Sequence, residues 1–182
     1  AGRGPTPIVA ADFNGDGMAD LAVTNISGNN VTVLLGNGSG GFTAASGSPL
    51  TVGINPTSVA AGDFSGSGRA DLIVTNSSSN SLSLLLGNGN GTFQPALSYP
   101  AGSGPASVAV GDFNGDGRSD LATANNSGNT ISVLMGNGTV TIASPAFDSN
   151  ADATTHTLWQ LPSPGELSVW CVNGRGNMGR PP

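Results

Sequence analysis

Asp12, Asn14, Asp16 and Asp20 set oxygen-bearing side chains at positions 1, 3, 5 and 9 of a short loop, with Gly15 and Gly17 at positions 4 and 6. Calcium gathers six to eight oxygens at about 2.3–2.6 Å, so a loop that holds it must turn sharply between inward-pointing ligands. Glycine allows those turns because it enters φ > 0 without steric cost. The spacing predicts a calcium loop in which the Met18 carbonyl fills position 7. Asp112, Asn114, Asp116 and Asp120, with the Arg118 carbonyl, repeat the set. A further copy lies between them at Asp63, Ser65, Ser67, Arg69 and Asp71, where serine replaces two inner ligands. Only Asp63 and Asp71 are charged there, so this middle site is expected to hold calcium loosely or stand empty.

Aspartate, asparagine and glycine also build ordinary tight turns, and one such string alone would carry little. Three in register carry more. Eight of the eleven acidic residues fall in these loops, and carboxylates so concentrated repel unless a cation neutralises them. Each ligand set is filled by protein oxygens, with no open position of the kind metal catalysis uses. No carboxylate pair, nucleophile triad or cofactor loop accompanies them, so the metal is expected to be structural and the chain not an enzyme.

The elements that present these loops recur with them. Asp12, Asp63 and Asp112 are 51 and 49 residues apart, and Pro5, Pro56 and Pro105 precede the three units in step. A first strand is predicted at Ile8 to Ala11, Val59 to Ala61 and Val108 to Val110. The loop then leads to a second strand at Leu21 to Thr24, Leu72 to Thr75 and Leu121 to Ala124. Turns at Ser27-Gly28-Asn29, Ser78-Ser79-Asn80 and Ser127-Gly128-Asn129 open a third strand at Val31 to Leu35, Leu82 to Leu86 and Ile131 to Met135. Gly36-Asn37-Gly38, Gly87-Asn88-Gly89 and Gly136-Asn137-Gly138 read as the next hairpin turn, after which Phe42 and Phe93 open a fourth strand. Third strands that are apolar on both faces, such as Leu84-Leu85-Leu86, are expected to be sandwiched between sheets. Four antiparallel strands per unit of about 50 residues is the arithmetic of a β-propeller blade, which makes the fold class all-β.

The run Val108-Ala109-Val110-Gly111-Asp112-Phe113-Asn114-Gly115-Asp116-Gly117 to Asp120-Leu121, with Val133-Leu134-Met135-Gly136-Asn137-Gly138 downstream, resembles the FG-GAP (VCBS-type) repeat of integrin α-subunit propellers and many secreted bacterial proteins. The resemblance covers residues 5 to 138 and implies propeller blades with calcium in a hairpin loop of each. Two departures stand out: the serine-substituted second loop, and Thr139-Val140-Thr141-Ile142 where Gly-x-Phe is expected. Residues 1–142 are read as three blades, at about 5–50, 56–100 and 105–142, and 143–182 as a divergent, partly flexible tail. Propellers close with four to eight blades, so three imply either a fragment of a longer propeller or copies that complete a ring or filament. The abrupt start at Ala1, without methionine or signal sequence, favours a processed or excised piece.

With no lysine, five arginines and a net charge of −6, the chain lacks the basic face of a nucleic-acid binder. No run of about eighteen apolar residues exists to span a membrane. Millimolar calcium outside cells would fill loops that cytosolic calcium leaves empty, which points to a secreted or cell-surface module with a protein or glycan ligand, with an accessory domain of a larger secreted enzyme as the alternative. Cys171 is the only cysteine, so no internal disulfide forms. In the tail, Asp148, Asn150 and Asp152 have metal-loop spacing without the glycines, and His156 and Cys171 lack any surrounding catalytic motif. Trp159 and Trp170 are expected to cover a core edge, with sugar stacking as the sharper alternative, and Leu167 to Val172 to pair as a strand on an exposed edge. Asn25, Asn30, Asn37, Asn76, Asn90, Asn125 and Asn137 each begin an Asn-x-Ser/Thr triplet, on turns expected to be accessible.

Overall fold

The computed structural model describes residues 1–136 and the strand at 168–172. Its first sheet runs β1 (Pro5–Ala11), β2 (Asp20–Asn25), β3 (Asn30–Gly36) and β4 (Phe42–Ala44), with the short β5 (Leu50–Thr51) pairing on the opening residues of β3. The second runs β6 (Pro56–Gly62), β7 (Asp71–Asn76), β8 (Ser81–Leu85) and β9 (Leu97–Pro100), and the third β10 (Pro105–Gly111), β11 (Asp120–Asn125), β12 (Thr130–Met135) and β13 (Ser168–Val172). Every pairing is antiparallel. Among the described residues there is no helix, and hence none long and apolar enough to cross a membrane.

The first strands begin three residues earlier than expected, at Pro5, Pro56 and Pro105. Proline has no N–H to give a ladder, and the first residue of a strand is one of the few places a sheet accepts it. In all three sheets the register shifts directly after it. Phe42 opens β4 as expected, but Phe93 forms only an isolated bridge with Gly87, and the fourth strand of that sheet starts at Leu97. Pro95 lies between them and cannot continue the ladder. In the third sheet β13 takes the fourth place against β12, the edge pairing expected of Leu167 to Val172. Residues 139–142, the other candidate for that place, lie outside the described residues, as do the Asp148, Asn150 and Asp152 string, His156 and Trp159.

The sheets stack face to face. Phe13, Val31 and Val33 of the first pack with Val59, Leu72, Val74 and Leu85 of the second. Ile73, Leu82 and Leu84, on the second sheet's other face, pack with Leu121 and Leu134 of the third. Every residue of β7 and β8 is therefore buried, as the doubly apolar sequence of β8 predicts. β6 lies against both β1 and β10, so the innermost strands run side by side, the arrangement of consecutive propeller blades.

Polar groups fix each blade internally and to its neighbour. Asn29, Asn80 and Asn129 turn β2 into β3, β7 into β8 and β11 into β12 at φ 50°, 49° and 51°, a left-handed conformation that asparagine tolerates. From there Asn29 Oδ1 accepts the Asn55 N–H at 2.9 Å and Asn80 Oδ1 accepts the Gly104 N–H at 2.8 Å, pinning the chain as it crosses to the next blade. Asn25, Asn76 and Asn125 end the second strands and are buried, each amide donating to a hydroxyl of the third strand: Thr32 at 2.8 Å, Ser83 at 2.9 Å and Ser132 at 2.8 Å. Three of the seven Asn-x-Ser/Thr triplets thus begin in the core, because their amides satisfy hydroxyls there, and are not accessible as expected. Leu85→Ala is expected to lower unfolding free energy by about 3 kcal/mol through the cavity it leaves. Asn80→Ala, which removes one bond and a left-handed residue, should cost about 1–2 kcal/mol in the same urea titration.

Candidate metal centre

Each candidate loop joins the first strand of a blade to the second. Gly15 and Gly17 turn it at φ 78° and 80°, Gly66 and Gly68 at 71° and 74°, and Gly115 and Gly117 at 78° and 82°, so all three follow one path. Only glycine enters this region at no cost, which explains its presence at positions 4 and 6. The path folds the loop over its first carboxylate. Asp12 Oδ1 accepts the Gly15 N–H at 2.7 Å and Oδ2 the Gly17 N–H at 2.8 Å; Asp112 repeats this with Gly115 at 2.7 Å and Gly117 at 2.8 Å. Asp63 accepts from Ser67 N–H at 3.0 Å and Gly68 N–H at 2.7 Å.

Positions 3 and 5 close the same turn. Asn14 Oδ1 accepts the Asp16 N–H at 2.9 Å, its amide donates to Asp16 Oδ2 at 2.8 Å, and Asp16 Oδ1 accepts the Met18 N–H at 2.8 Å. Asn114, Asp116 and Arg118 reproduce these contacts at 2.8, 3.0 and 3.0 Å. In the middle loop the hydroxyls stand in: Ser65 Oγ donates to Ser67 Oγ at 3.0 Å and approaches Asp63 Oδ1 at 3.3 Å.

Position 9 behaves differently. Asp20, Asp71 and Asp120 are fully buried, and both oxygens of each accept main-chain N–H groups. Asp20 Oδ2 takes the Phe13 N–H at 2.9 Å and Oδ1 the Gly36 N–H at 2.8 Å. Asp71 takes Phe64 at 3.0 Å, Ser65 at 3.1 Å and Gly87 at 2.8 Å, and Asp120 takes Phe113 at 2.8 Å and Gly136 at 2.7 Å. This carboxylate ties the start of the loop to the end of the third strand. The glycines it holds were read as hairpin turns, but the structure gives the first of each Gly-Asn-Gly a second reason. A Cβ on Gly36, Gly87 or Gly136 would run into the main-chain carbonyl of Ala19, Ala70 or Ser119, the residue before the buried aspartate. Recurrence of the glycine in all three units was the available signal.

Among the described residues no three His, Cys, Asp or Glu side chains are gathered closely enough to hold a metal on their own. Positions 1, 3 and 5 converge at the exposed tip, while position 9 faces the interior. The N–H of Gly17, foremost, holds the Asp12 carboxyl below its ordinary value of 3.8, aided by Gly15 and partly offset by lost solvent. Gly117 and Gly115 do the same for Asp112. Hydrogen bonds to the charged form favour it, so both tips stay anionic at neutral pH.

The chain matches the FG-GAP-like repeat family over residues 12–74 and 65–123, and the FG-GAP repeat over residues 104–143. No curated protein matches it. Among solved structures it is similar to a chain of the Tc holotoxin pore of Photorhabdus luminescens, at 19% identity and a TM-score of 0.46, over 90% of this chain and 9% of that one.

Two outcomes follow from the geometry. Asp71→Ala strands the N–H groups of Phe64, Ser65 and Gly87 without their acceptor and is expected to cost about 3 kcal/mol or more, against less than about 1 kcal/mol for the exposed Asp16→Ala in metal-free buffer. Because the Asp12 and Asp112 carboxyls are lowered in the folded state, their contribution is present above the unfolded value and lost as pH falls through the folded one. Urea midpoints should stay level from neutral pH to about 5 and fall below about 4, less steeply in Asp12→Asn.

Proposed function

The chain belongs to the FG-GAP-like repeat family, and from that premise we propose that it is a calcium-stabilised extracellular β-propeller module with a binding or scaffolding role. The observation that carries this reading is the convergence of oxygen donors at the tips of the first and third loops on one glycine-defined path. Asp12, Asn14 and Asp16, and likewise Asp112, Asn114 and Asp116, are hard oxygen donors of the kind calcium selects. A carboxylate oxygen that accepts one N–H, as both oxygens of Asp12 and Oδ2 of Asp112 do, still has a lone pair to offer, whereas Asp112 Oδ1 takes two, from Gly115 and Asp116; each tip thus keeps carboxylate oxygen able to ligate. With Met18 or Arg118 supplying a main-chain oxygen, the set fits a hard divalent ion; calcium there cancels the repulsion of the paired aspartates.

Asp20, Asp71 and Asp120 combine ligation on their remaining lone pairs with the brace they form to the main chain. The middle loop, where hydroxyls replace two donors, is the weak site, because a neutral oxygen attracts a cation less than a carboxylate does. The metal serves structure. Adhesion or scaffolding falls to the loops at the rims of the blades, which a rigid framework positions for a protein or glycan ligand.

Calcium titration by calorimetry should show two binding events per chain at full strength and a third that is weaker or absent. Chelation with EDTA should lower the thermal midpoint, by several degrees for a domain of this size. Asp116→Ala should reduce that calcium-dependent gain much more than Ser67→Ala. No heat of binding at millimolar calcium, or equal effects of the two substitutions, would defeat the assignment.

A further inference from the structure

An asparagine followed by glycine can react with itself, since no Cβ on the second residue obstructs its main-chain nitrogen. That nitrogen loses its proton and attacks the asparagine Cγ, Nδ2 leaves with a proton as ammonia, and a five-membered imide closes. Water then cleaves the ring at one of its two carbonyls, giving aspartate or the isomer whose main chain runs through the side chain. The net change is an amide plus water to a carboxylate plus ammonia. Two conditions favour it: a glycine nitrogen free to give up its proton, and donors on Oδ1, where negative charge gathers in the tetrahedral adduct.

Five such pairs fall among the described residues, beginning at Asn14, Asn37, Asn88, Asn90 and Asn114. Asp12 Oδ1 holds the Gly15 N–H and Asp112 Oδ1 the Gly115 N–H, both at 2.7 Å. A nitrogen anion beside a carboxylate is disfavoured, so these two glycines keep their protons. Asn90 Oδ1 accepts the Thr92 N–H at 3.1 Å and hydroxyl at 2.6 Å, but the Gly91 N–H is committed to the Phe13 carbonyl at 2.9 Å. Asn88 has no donor on Oδ1, and its Nδ2, the leaving group, is tied to Thr92 Oγ1 at 2.9 Å. Asn37 alone of the five meets both conditions. It lies on an exposed turn, and the Gly38 N–H has no acceptor among the described residues. Its Oδ1 accepts three donors: the Ser39 N–H at 3.0 Å, the Ser39 hydroxyl at 2.9 Å and the Gly41 N–H at 2.9 Å.

We propose that Asn37 is a self-modification site, deamidating through an imide with Gly38 in the folded chain ahead of the other four pairs. The product forms against the first loop, because a Cβ at position 38 would stand 3.0 Å from the Met18 sulfur. The isomerised form adds a main-chain atom inside the hairpin that the Asn37 N–H closes on the Gly41 carbonyl at 3.1 Å, one residue beyond the Gly36 N–H held by Asp20. The modification therefore places a new carboxylate, and a longer main chain, beside the anchor of the first blade.

The folded 182-residue chain, incubated at mildly alkaline pH and mapped by peptide mass spectrometry, should gain a carboxylate at position 37 about tenfold faster than at 14, 88, 90 or 114. In concentrated urea the five rates should converge, since all five share the same local sequence and the fold is gone. Ser39→Ala removes one of the three donors at an exposed position; with an unchanged circular dichroism spectrum, it should slow position 37 several-fold in the folded chain and leave its rate in urea unaltered. Equal rates at the five pairs in the folded chain, or a rate at position 37 lower folded than in urea, would overturn the proposal. A folded-state rate that Ser39→Ala leaves untouched would overturn the role given to the donors on Oδ1.

Discussion

Everything in these blades hangs on a carboxylate with no access to water. Burying a charge is costly unless it is fully hydrogen-bonded, and Asp20, Asp71 and Asp120 meet that condition with main-chain N–H groups from two separate segments. One contact fixes where the first strand ends and the loop begins, the other where the third strand ends. The loop path, the register of three strands and the approach of a glycine to a carbonyl therefore follow from one side chain per blade. The arrangement also divides labour along the loop, with the ninth position anchoring it and the first, third and fifth left at the surface.

The packing between blades depends on that anchor in turn. Phe13 can reach Phe93 because the N–H of the same residue is held by Asp20, which sets the direction in which the ring leaves the main chain. Apolar stacking and polar seam reinforce each other: the asparagine turns hold the crossing segments at the end where the apolar side chains give way to loops. A structure of this kind gains stability from neighbours more than from any single sheet.

Much of this was legible in the sequence because the repeat exposes it. The second and third strands, the asparagine turns and the doubly buried β8 follow from apolar runs and turn residues that recur in step. Others escaped. Periodicity could not show that Pro95 displaces the fourth strand of the second blade, since a missing N–H acts on a ladder and not on a pattern of hydrophobicity. Nor could it separate the four acidic or amide positions of the loop by burial: Asp16 and Asp20 look alike as letters, yet one is exposed and the other accepts two main-chain donors inside the fold. The buried Asn25, Asn76 and Asn125 were hidden for the same reason, because a polar residue at a strand end reads as surface until its partner hydroxyl is placed.

The middle blade is covered on both faces, and it is the middle loop that carries Ser65 and Ser67 in place of charged and amide donors. Packed against a neighbour on each face, this blade draws its rigidity from the apolar layers on either side, so two hydroxyls can stand at its loop tip without loosening the sheet beneath.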